Sequence, residues 1–427
     1  LARRRPALAA KWREALEPPA AQASAALLAL LLALAACDSV HFRPRLDAGP
    51  QQPPAYAPAA VSLLDHALLP RIAGRERSYS APFAAAEFDK SADPAGSAAR
   101  IHRPLTGVTP AAREPGSKAR DIARRAARGL AAGLLLDLAI LGLPALFSAR
   151  RRRIPLLDAP RCLHRWRGLL ALLALLGLLA PVILSLWSGY HPLGTDKTGN
   201  DVLYEAVKSV RTAFALGSLA TLSMLPFAML LGIAAGYFRG WVDDVVQYLY
   251  TTISSIPSVL LIAAASLMIQ VFIDQHPALL PTALERSDAK LFSIAVIIGV
   301  TGWAGLARLL RAEVLKLSSL DFITAAAAGG ASPWRIMTRH LLPNVMHIVL
   351  IVSVIEFSGI VLYEAVLSYI GVGVDPSTAS FGSMINAARG EMSRTPAIWW
   401  NLAAAFGFMV AIVLAANLFA AAVRDAF

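Results

Sequence analysis

Long apolar runs alternate with short polar connections along this chain. Eight runs approach or exceed the roughly 20 residues that an α-helix needs to cross a hydrocarbon core. They are 20–40, 129–148, 168–187, 212–236, 245–273, 291–310, 344–371 and 397–423. Lipid offers backbone groups no hydrogen-bond partner, so each run is predicted to be helical. The predicted fold is an all-α, polytopic transmembrane helix bundle. The first run is Ala-rich, and the second carries Asp137 and Pro144. A carboxylate at the bilayer centre costs about 2.5–3.5 kcal/mol. Asp137 therefore either makes a contact inside the bundle or faces a polar neighbour from a tilted, peripheral helix. Pro226 and Pro257 are expected to kink their helices. Trp187, Trp399 and Trp400 fall at run ends, where aromatic anchors sit at the membrane interface.

One long stretch breaks the alternation. Residues 41–128 are rich in Pro, Ala and Ser, with apolar patches at 61–64 and 67–69 but no sustained period. They read as an extracytoplasmic insertion that is ordered only in part, with a flexible linker at 106–118. A small folded lid is the alternative. The chain then divides into a cytoplasmic N-terminus and first span (1–40), the insertion (41–128), and second and third spans around a basic inner loop (129–187). An extracytoplasmic segment (188–211) and a helical core (212–427) follow. No internal repeat is visible.

Composition agrees with a membrane location. Apolar residues make up 56% and charged residues 16%, and mean hydropathy is +0.56. Soluble domains have about 45–50% apolar and about 25% charged residues. A soluble enzyme, a disordered chain and a disulfide scaffold are all excluded. The net charge of +12 reads as cytoplasmic loops against anionic lipid, with no nucleic acid partner. Basic residues gather at Arg3, Arg4, Arg5, Lys11 and Arg13, from Arg150 to Arg167, and from Arg308 to Arg339. That distribution places the N-terminus and residues 321–343 inside. Arg120, Arg124, Arg125 and Arg128, at the outer end of the second run, go against it. The two cysteines, Cys37 and Cys162, do not fix a redox compartment. Leu34-Ala35-Ala36-Cys37 resembles a bacterial lipoprotein processing site, which would leave a lipid on Cys37; the other reading is an ordinary helix end. Cys162 reads as an ordinary thiol.

The most informative polar stretch is 321–344, DFITAAAAGGASPWRIMTRHLLPN. A short helix over 324–328 is expected to break at Gly329-Gly330. Ser332 then caps a second helix with Pro333 at its first position. Arg335 and Arg339 share a face, and Leu342-Pro343 is expected to end the unit. Such a helix–turn–helix either acts as a lever to a partner protein or lies on the bilayer surface.

This stretch resembles the loop of permease subunits in bacterial binding-protein-dependent ABC importers. That pattern is Glu-Ala-Ala, three residues, Gly, nine residues, Ile, one residue, Leu-Pro. Thr324-Ala325-Ala326 stands for the triplet, Gly330 for the glycine, His340 for the Ile, and Leu342-Pro343 for the ending. Thr324 and His340 depart from it, whereas Arg339 to Asn344 matches the ending of the peptide (dipeptide, oligopeptide and nickel) branch. HPLGTDKTGNDVL (191–203), GYFRGWVDD (236–244), Ser255-Ile256-Pro257-Ser258, LSYIGVGVDPSTASFGSMI (367–385) and residues 417–427 resemble the same branch. Asn200 stands where the family has Arg. The resemblance covers about 189–427.

The resemblance implies a six-span-like importer core with N-terminal additions, in a multi-pass protein of the bacterial inner membrane. It implies a second homologous permease, two cytoplasmic ATPase subunits and an extracytoplasmic solute-binding protein. Thr324, Ala325, Ala326, Gly330, Arg335, Arg339, His340, Leu342 and Pro343 become the ATPase-coupling loop. Glu356 and Glu364, on roughly one helical side, either line the pathway or make packing hydrogen bonds. The chain lacks a G-x-x-x-x-G-K-[ST] loop, an H-E-x-x-H motif, a metal-ligand spacing and a G-x-S-x-G elbow. It is therefore expected to bind no cofactor or metal and not to be an enzyme, with ATP and Mg held by the partner subunits. The expected function is translocation of peptides or similar small solutes by alternating access. The rival reading is a membrane scaffold or assembly factor derived from a permease, suggested by the unusual N-terminal half and by Thr324. A secondary transporter would need an intramembrane charge network or an inverted repeat, and neither is visible.

Overall fold

The apolar runs form helices whose ends are set by proline, glycine and side-chain caps. The structure, a computed structural model, describes residues 6–46, 55–57, 60–68, 74–92, 100–114, 116–152, 164–375 and 378–427. Among them the main helices are α1 (Pro6–Ala15), α2 (Pro19–Ser39), α3 (Leu63–Leu68), α4 (Ser117–Arg152), α5 (Arg167–Trp187) and α6 (Val202–Phe238). They continue as α7 (Gly240–Ser255), α8 (Ser258–Gln275), α9 (Ala283–Gly302), α10 (Ala304–Leu317), α11 (Asp321–Ala328) and α12 (Pro333–Ile336). A π-turn (Met337–Leu341), α13 (Leu342–Tyr369), α14 (Phe381–Arg389) and α15 (Trp400–Ala426) complete the order.

Among the described residues, seven spans of helix are long and apolar enough to cross a membrane: α2, α5, α6, α8, α9 with α10, α12 through α13, and α15. The fold is thus the all-α polytopic bundle expected. The eighth expected span, 129–148, lies inside α4 and is not among the seven; the side chains of its last residues, Pro144 included, lie outside the described ones. Two other expected spans are interrupted. The run 245–273 breaks at Ile256-Pro257, where Pro257 caps the start of α8. The run 291–310 breaks at Trp303, between α9 and α10. Pro226 is accommodated within α6.

The chain forms two compact units, Leu1–Ala15 with Ala213–Thr378 and Ile412–Phe427, and Leu16–Thr212 with Ala379–Ala411. The core of the first has two parts. One gathers Ala228, Ala235, Trp303, Leu306, Leu310, Val314, Ile336, Leu341 and Val345. The other gathers Leu216, Ala220, Ile262, Ile294, Ile298, Ile360 and Leu367. Glycines permit the close approaches here. A Cβ on Gly232 would lie 2.7 Å from the Ala307 carbonyl, and one on Gly236 would lie 2.8 Å from that of Arg311.

In the second unit α4 and α5 pack through Gly129 and Gly133, spaced as in small-xxx-small membrane helix pairs. A Cβ on Gly129 would meet Val182 Cα at 2.5 Å, and one on Gly133 the Gly177 carbonyl at 3.0 Å. Asp137 lies in this seam against Gly177, so it makes a contact inside the bundle rather than facing a polar neighbour from the periphery. Gln22 on α2 ties that helix to α5: its Nε2 donates to the Arg165 carbonyl at 2.6 Å, and its Oε1 accepts from Gly168 N at 3.1 Å.

The stretch 41–128 is more ordered than its composition suggests. Its described residues form antiparallel pairs between β1 (His41–Phe42) and β4 (Val61–Ser62), and between β2 (Arg45–Leu46) and β3 (Ala55–Tyr56). A longer hairpin joins β5 (Ala86–Ala92) to β6 (Arg100–Pro104). The described residues of the expected flexible linker at 106–118 are instead packed. Val108 and Ala112 are buried with Leu105 and Tyr190, and residues 110–112 form a 3-10 turn before α4. Its order comes from polar and apolar contacts to the distant 188–201 loop, which local periodicity does not register. Trp187 and Trp400 also differ from expectation. Both are buried, and Trp400 Nε1 donates to the Thr195 carbonyl at 3.0 Å; only Trp399 is exposed.

Candidate functional site

The stretch 321–343, expected to couple to a partner, folds as a helix, a glycine turn and a second helix. α11 ends in a Schellman closure: Ala331 N donates to the Ala326 carbonyl at 3.1 Å and Gly330 N to that of Ala327 at 3.0 Å. Gly330 takes the left-handed conformation that this closure requires, with φ +78°. Ser332 Oγ then accepts from Arg335 N at 3.4 Å, and Pro333 supplies the first helical position. One face of the unit is anchored, since Ile323, Ile336, Met337 and Leu341 are buried with Leu310 and Val314. The other face is open. Thr324, Ala325, Gly330, Arg335 and Arg339 are exposed, Ala326 and His340 are half-buried, and Trp334 is 61% exposed.

Leu342-Pro343 does not end the unit. The helix runs on from Pro333 to Tyr369 through a π-turn at Met337–Leu341. The reason is local chemistry. Proline has no N–H to give and its ring crowds the carbonyl four residues back, so an ordinary α-turn is disrupted there. A π-turn widens the ring: Leu342 N donates five residues back, to Met337 O. Asn344 Nδ2 then takes the His340 carbonyl at 2.7 Å. The Arg-His-x-Leu-Pro-Asn ending is therefore a hydrogen-bonding device. Leu342 there is half-buried and Pro343 is open.

The GYFRGWVDD turn supports this element from below. Arg239 and Gly240 both take positive φ, +57° and +52°, between α6 and α7. Asp243 then receives a two-pronged pair from Arg311 on α10, Nε to Oδ1 and Nη2 to Oδ2, each at 2.5 Å. Arg308, one turn earlier, donates to Ser254 Oγ at 3.0 Å and lies 4.9 Å over the Tyr250 ring. Both arginines thus hold α7 against the helix that leads into the coupling element.

Of the two carboxylates on α13, Glu364 is buried and accepts from Ser368 Oγ at 2.7 Å. Glu356 is half-buried and makes no side-chain hydrogen bond or ion pair among those found for the described residues. They are not equivalent. No cluster of three or more metal-ligating side chains occurs among the described residues. Cys37 is a free, exposed thiol near the end of α2, and Cys162 lies outside the described residues.

The HPLGTD segment forms a second polar site that the sequence reading recognised only as a motif. Its Asp196 carboxylate accepts from Thr198 N at 2.8 Å and Asn200 N at 2.9 Å, with Gly194 and Gly199 at positive φ. Asn200 joins this turn, its Nδ2 donating to Thr198 Oγ1 at 2.9 Å. His191 Nδ1 bonds Asp201 Oδ2 at 2.7 Å, while its Nε2 lies 3.7 Å from Glu76 Oε1 in the insertion. Burial opposes charge on His191, yet Asp201 and Glu76 hold it protonated, with a pKa raised to about 9. Burial likewise opposes charge on Glu76, but His191 and the donors at Thr106 and Gly107 bring it down to about 2. Glu76 was missed because nothing local marks it. It is one acidic residue in a stretch without periodicity.

The C-terminal part of the chain is similar to known transport proteins. Residues 228–427 match the family described as binding-protein-dependent transport system inner membrane component. Among curated relatives, a dipeptide transport system permease protein of Lactococcus lactis is 31% identical over 46% of this chain and 52% of its own length. An oligopeptide transport system permease protein of Haemophilus influenzae is 26% identical over 56% and 70%. A glutathione transport system permease protein of Pectobacterium atrosepticum is 28% identical over 56% and 72%. The chain thus spans about half the length of the first of these relatives and somewhat more of the others.

Proposed function

From the match of residues 228–427 to the inner membrane component of binding-protein-dependent transport systems, the similarity to peptide permeases and the membrane-length helices, we propose that the chain is an inner-membrane permease that translocates peptides or similar small solutes for an ATP-driven importer. It does so by alternating access, with a second permease, two cytoplasmic ATPases and an extracytoplasmic binding protein. The chain itself hydrolyses nothing; ATP and Mg stay with the ATPases.

One observation carries this reading. The element 321–343 is rigidly anchored on one face through Ile336 and Leu341 and open on the other at Thr324, Arg335 and Arg339. A partner pushing on the open face moves a body packed against α10 and continuous with α13. Ala325, Ala326 and Gly330 shape its first helix and turn, Trp334 offers an apolar anchor, and His340, Leu342 and Pro343 sit at the junction with the span. For the switch to run, nucleotide state must bias two conformations by a few kcal/mol. Glu356, the less satisfied of the two carboxylates, is the one we assign to the solute pathway, while Glu364 packs with Ser368.

The test is affinity capture of the tagged full chain from mild detergent, with partners identified by mass spectrometry. Two ATPases and a second permease are expected. Recovery of the chain alone, under conditions that preserve known importers, would favour the scaffold reading. Gly330→Pro, which cannot adopt φ +78°, should abolish uptake without loss of membrane insertion; normal uptake by it would refute the lever.

A further inference from the structure

The second polar site gives the insertion a task. Asp201 serves two partners with one carboxylate: Oδ1 accepts from Tyr204 N at 3.0 Å, capping α6, and Oδ2 bonds His191. His191 is only 1% exposed, and its remaining nitrogen faces Glu76 alone. Glu76 is in turn fixed by Thr106 N and Oγ1, both at 2.9 Å, and by Gly107 N at 2.7 Å. A continuous line of charge and hydrogen bonds therefore runs from the insertion to the first turn of α6.

We propose that Glu76 is a positioning residue: acting through His191 and Asp201, it makes the insertion a brace on the outer end of α6. The rest of the contact surface agrees. Glu76 N donates to the Gly199 carbonyl at 2.9 Å, and a Cβ on Gly199 would fall 2.0 Å from the Glu76 carbonyl, so backbone meets backbone with no space between. Thr195 Oγ1 donates to the Ser78 carbonyl at 2.8 Å, and Arg75 Nε to that of Thr198 at 3.0 Å. Farther along, Lys208 on α6 pairs with Asp65 of the insertion at 2.9 Å and lies 3.7 Å from Asp38. A segment that merely filled space would not place buried charges at both ends of the contact.

The brace has a titratable centre. The ionisable groups facing His191 are Glu76 from the insertion and Asp201 from its own loop. Asp196 and Lys197 lie in the adjoining turn, Arg75 lies beside it, and Glu205, one turn into α6, interacts with Asp201, Asp196 and Arg75. His191 is raised from 6.5 to about 9, so its contribution is complete below pH 6.5 and lost as pH rises through about 9. Without the Glu76 charge, only Asp201 holds that proton, and the loss moves to lower pH. The neutral backbone links and the Lys208–Asp65 contact are separate from His191 and keep the fold assembled.

The experiment uses the full chain in proteoliposomes, with trypsin added to the face carrying the insertion between pH 7 and 10. Cleavage after the exposed Arg77 is read by mass spectrometry. The natural chain should stay protected until about pH 9, the value to which His191 is raised. Glu76→Gln, with almost the same shape, should open at least about one pH unit lower, a roughly tenfold change in the proton affinity of the switch. His191→Gln should show no step in this range, and this second variant keeps the proposal testable if Glu76→Gln fails to insert. An unchanged step in Glu76→Gln, or a step of natural size in His191→Gln, would overturn the proposal. Protection rather than uptake is read, so the result stands apart from the importer reading.

Discussion

Removing one residue from the π-turn tests the coupling geometry most directly. Each residue turns an α-helix by about 100° and advances it about 1.5 Å. Deleting Thr338 therefore rotates residues 333–337 by one position relative to α13. Met337 would move to the place of Thr338, Ile336 to the place of Met337, and Arg335 to the place of Ile336, which is 1% exposed. Burying a guanidinium with no partner costs at least about 3 kcal/mol, and Met337 would lose burial worth about 1 kcal/mol or more. The expected response is a coupling element turned out of register while α13 inserts normally. The assay is thiol labelling in membranes, after Cys37→Ser and Cys162→Ser, with single cysteines placed at 335, 336 and 337. In the parent, 335 should react and 336 and 337 should not. After the deletion, labelling at 335 should fall and labelling at 337 should rise, with uptake lost. An unchanged labelling pattern would refute the argument that the π-turn sets which face is presented.

Three further outcomes follow from contacts elsewhere. Arg311→Met leaves Asp243 desolvated beside an apolar side chain and should cost about 3 kcal/mol, seen as a lower melting temperature in detergent; adding Asp243→Asn should recover part of the loss. Gly177→Val places a Cβ 2.2 Å from Asp137 Oδ1 and should force α4 from α5, lowering stability more than Gly177→Ala in the same assay, and Asp137→Ala should relieve it. Trp400→Phe gives up the hydrogen bond to the Thr195 carbonyl, worth about 1 kcal/mol. It should raise amide exchange across residues 194–200, measured by hydrogen–deuterium exchange, while leaving exchange in 321–343 unchanged.

What the sequence made legible follows from how far apart the deciding groups lie. Spans are written in contiguous residues, because lipid demands an unbroken apolar helix, and so most of the bundle could be read directly. The glycine turn at Gly330 and the Ser332–Pro333 cap were legible for the same reason, each needing only its neighbours. The break at Trp303 lies between Gly302 and Gly305, a local signal within an otherwise apolar run, and Trp303 and Ala304 pack into the core there. Pro343 misled in an instructive way. A proline after polar residues reads as a stop, but here the π-turn and Asn344 absorb the missing N–H, and the helix continues. The Gly129–Gly133 seam has a readable spacing, but the surface it packs against, Gly177 to Val182 on α5, lies about fifty residues away.

The insertion shows the limit of local reading. Folded segments normally announce themselves by periodic apolar positions, since most small units are held by their own core. The described residues of 74–114 form a modest apolar cluster, Leu105, Val108 and Ala112 with Phe83, Ala84 and Ala85 beside them, and that cluster is completed by Tyr190 from outside the segment. The remaining order comes from Glu76, Ser80 and Arg75 bonding to residues more than a hundred positions away. Such a segment need not satisfy the compositional rule for self-sufficient folding, because its partner supplies the missing contacts. Low periodicity in a stretch flanked by spans therefore does not separate a linker from a docked brace. What separates them is whether a buried charge in the stretch has a counter-charge elsewhere in the chain, and His191, flanked by Asp201 on its own loop, is the group that gives Glu76 a reason to be buried.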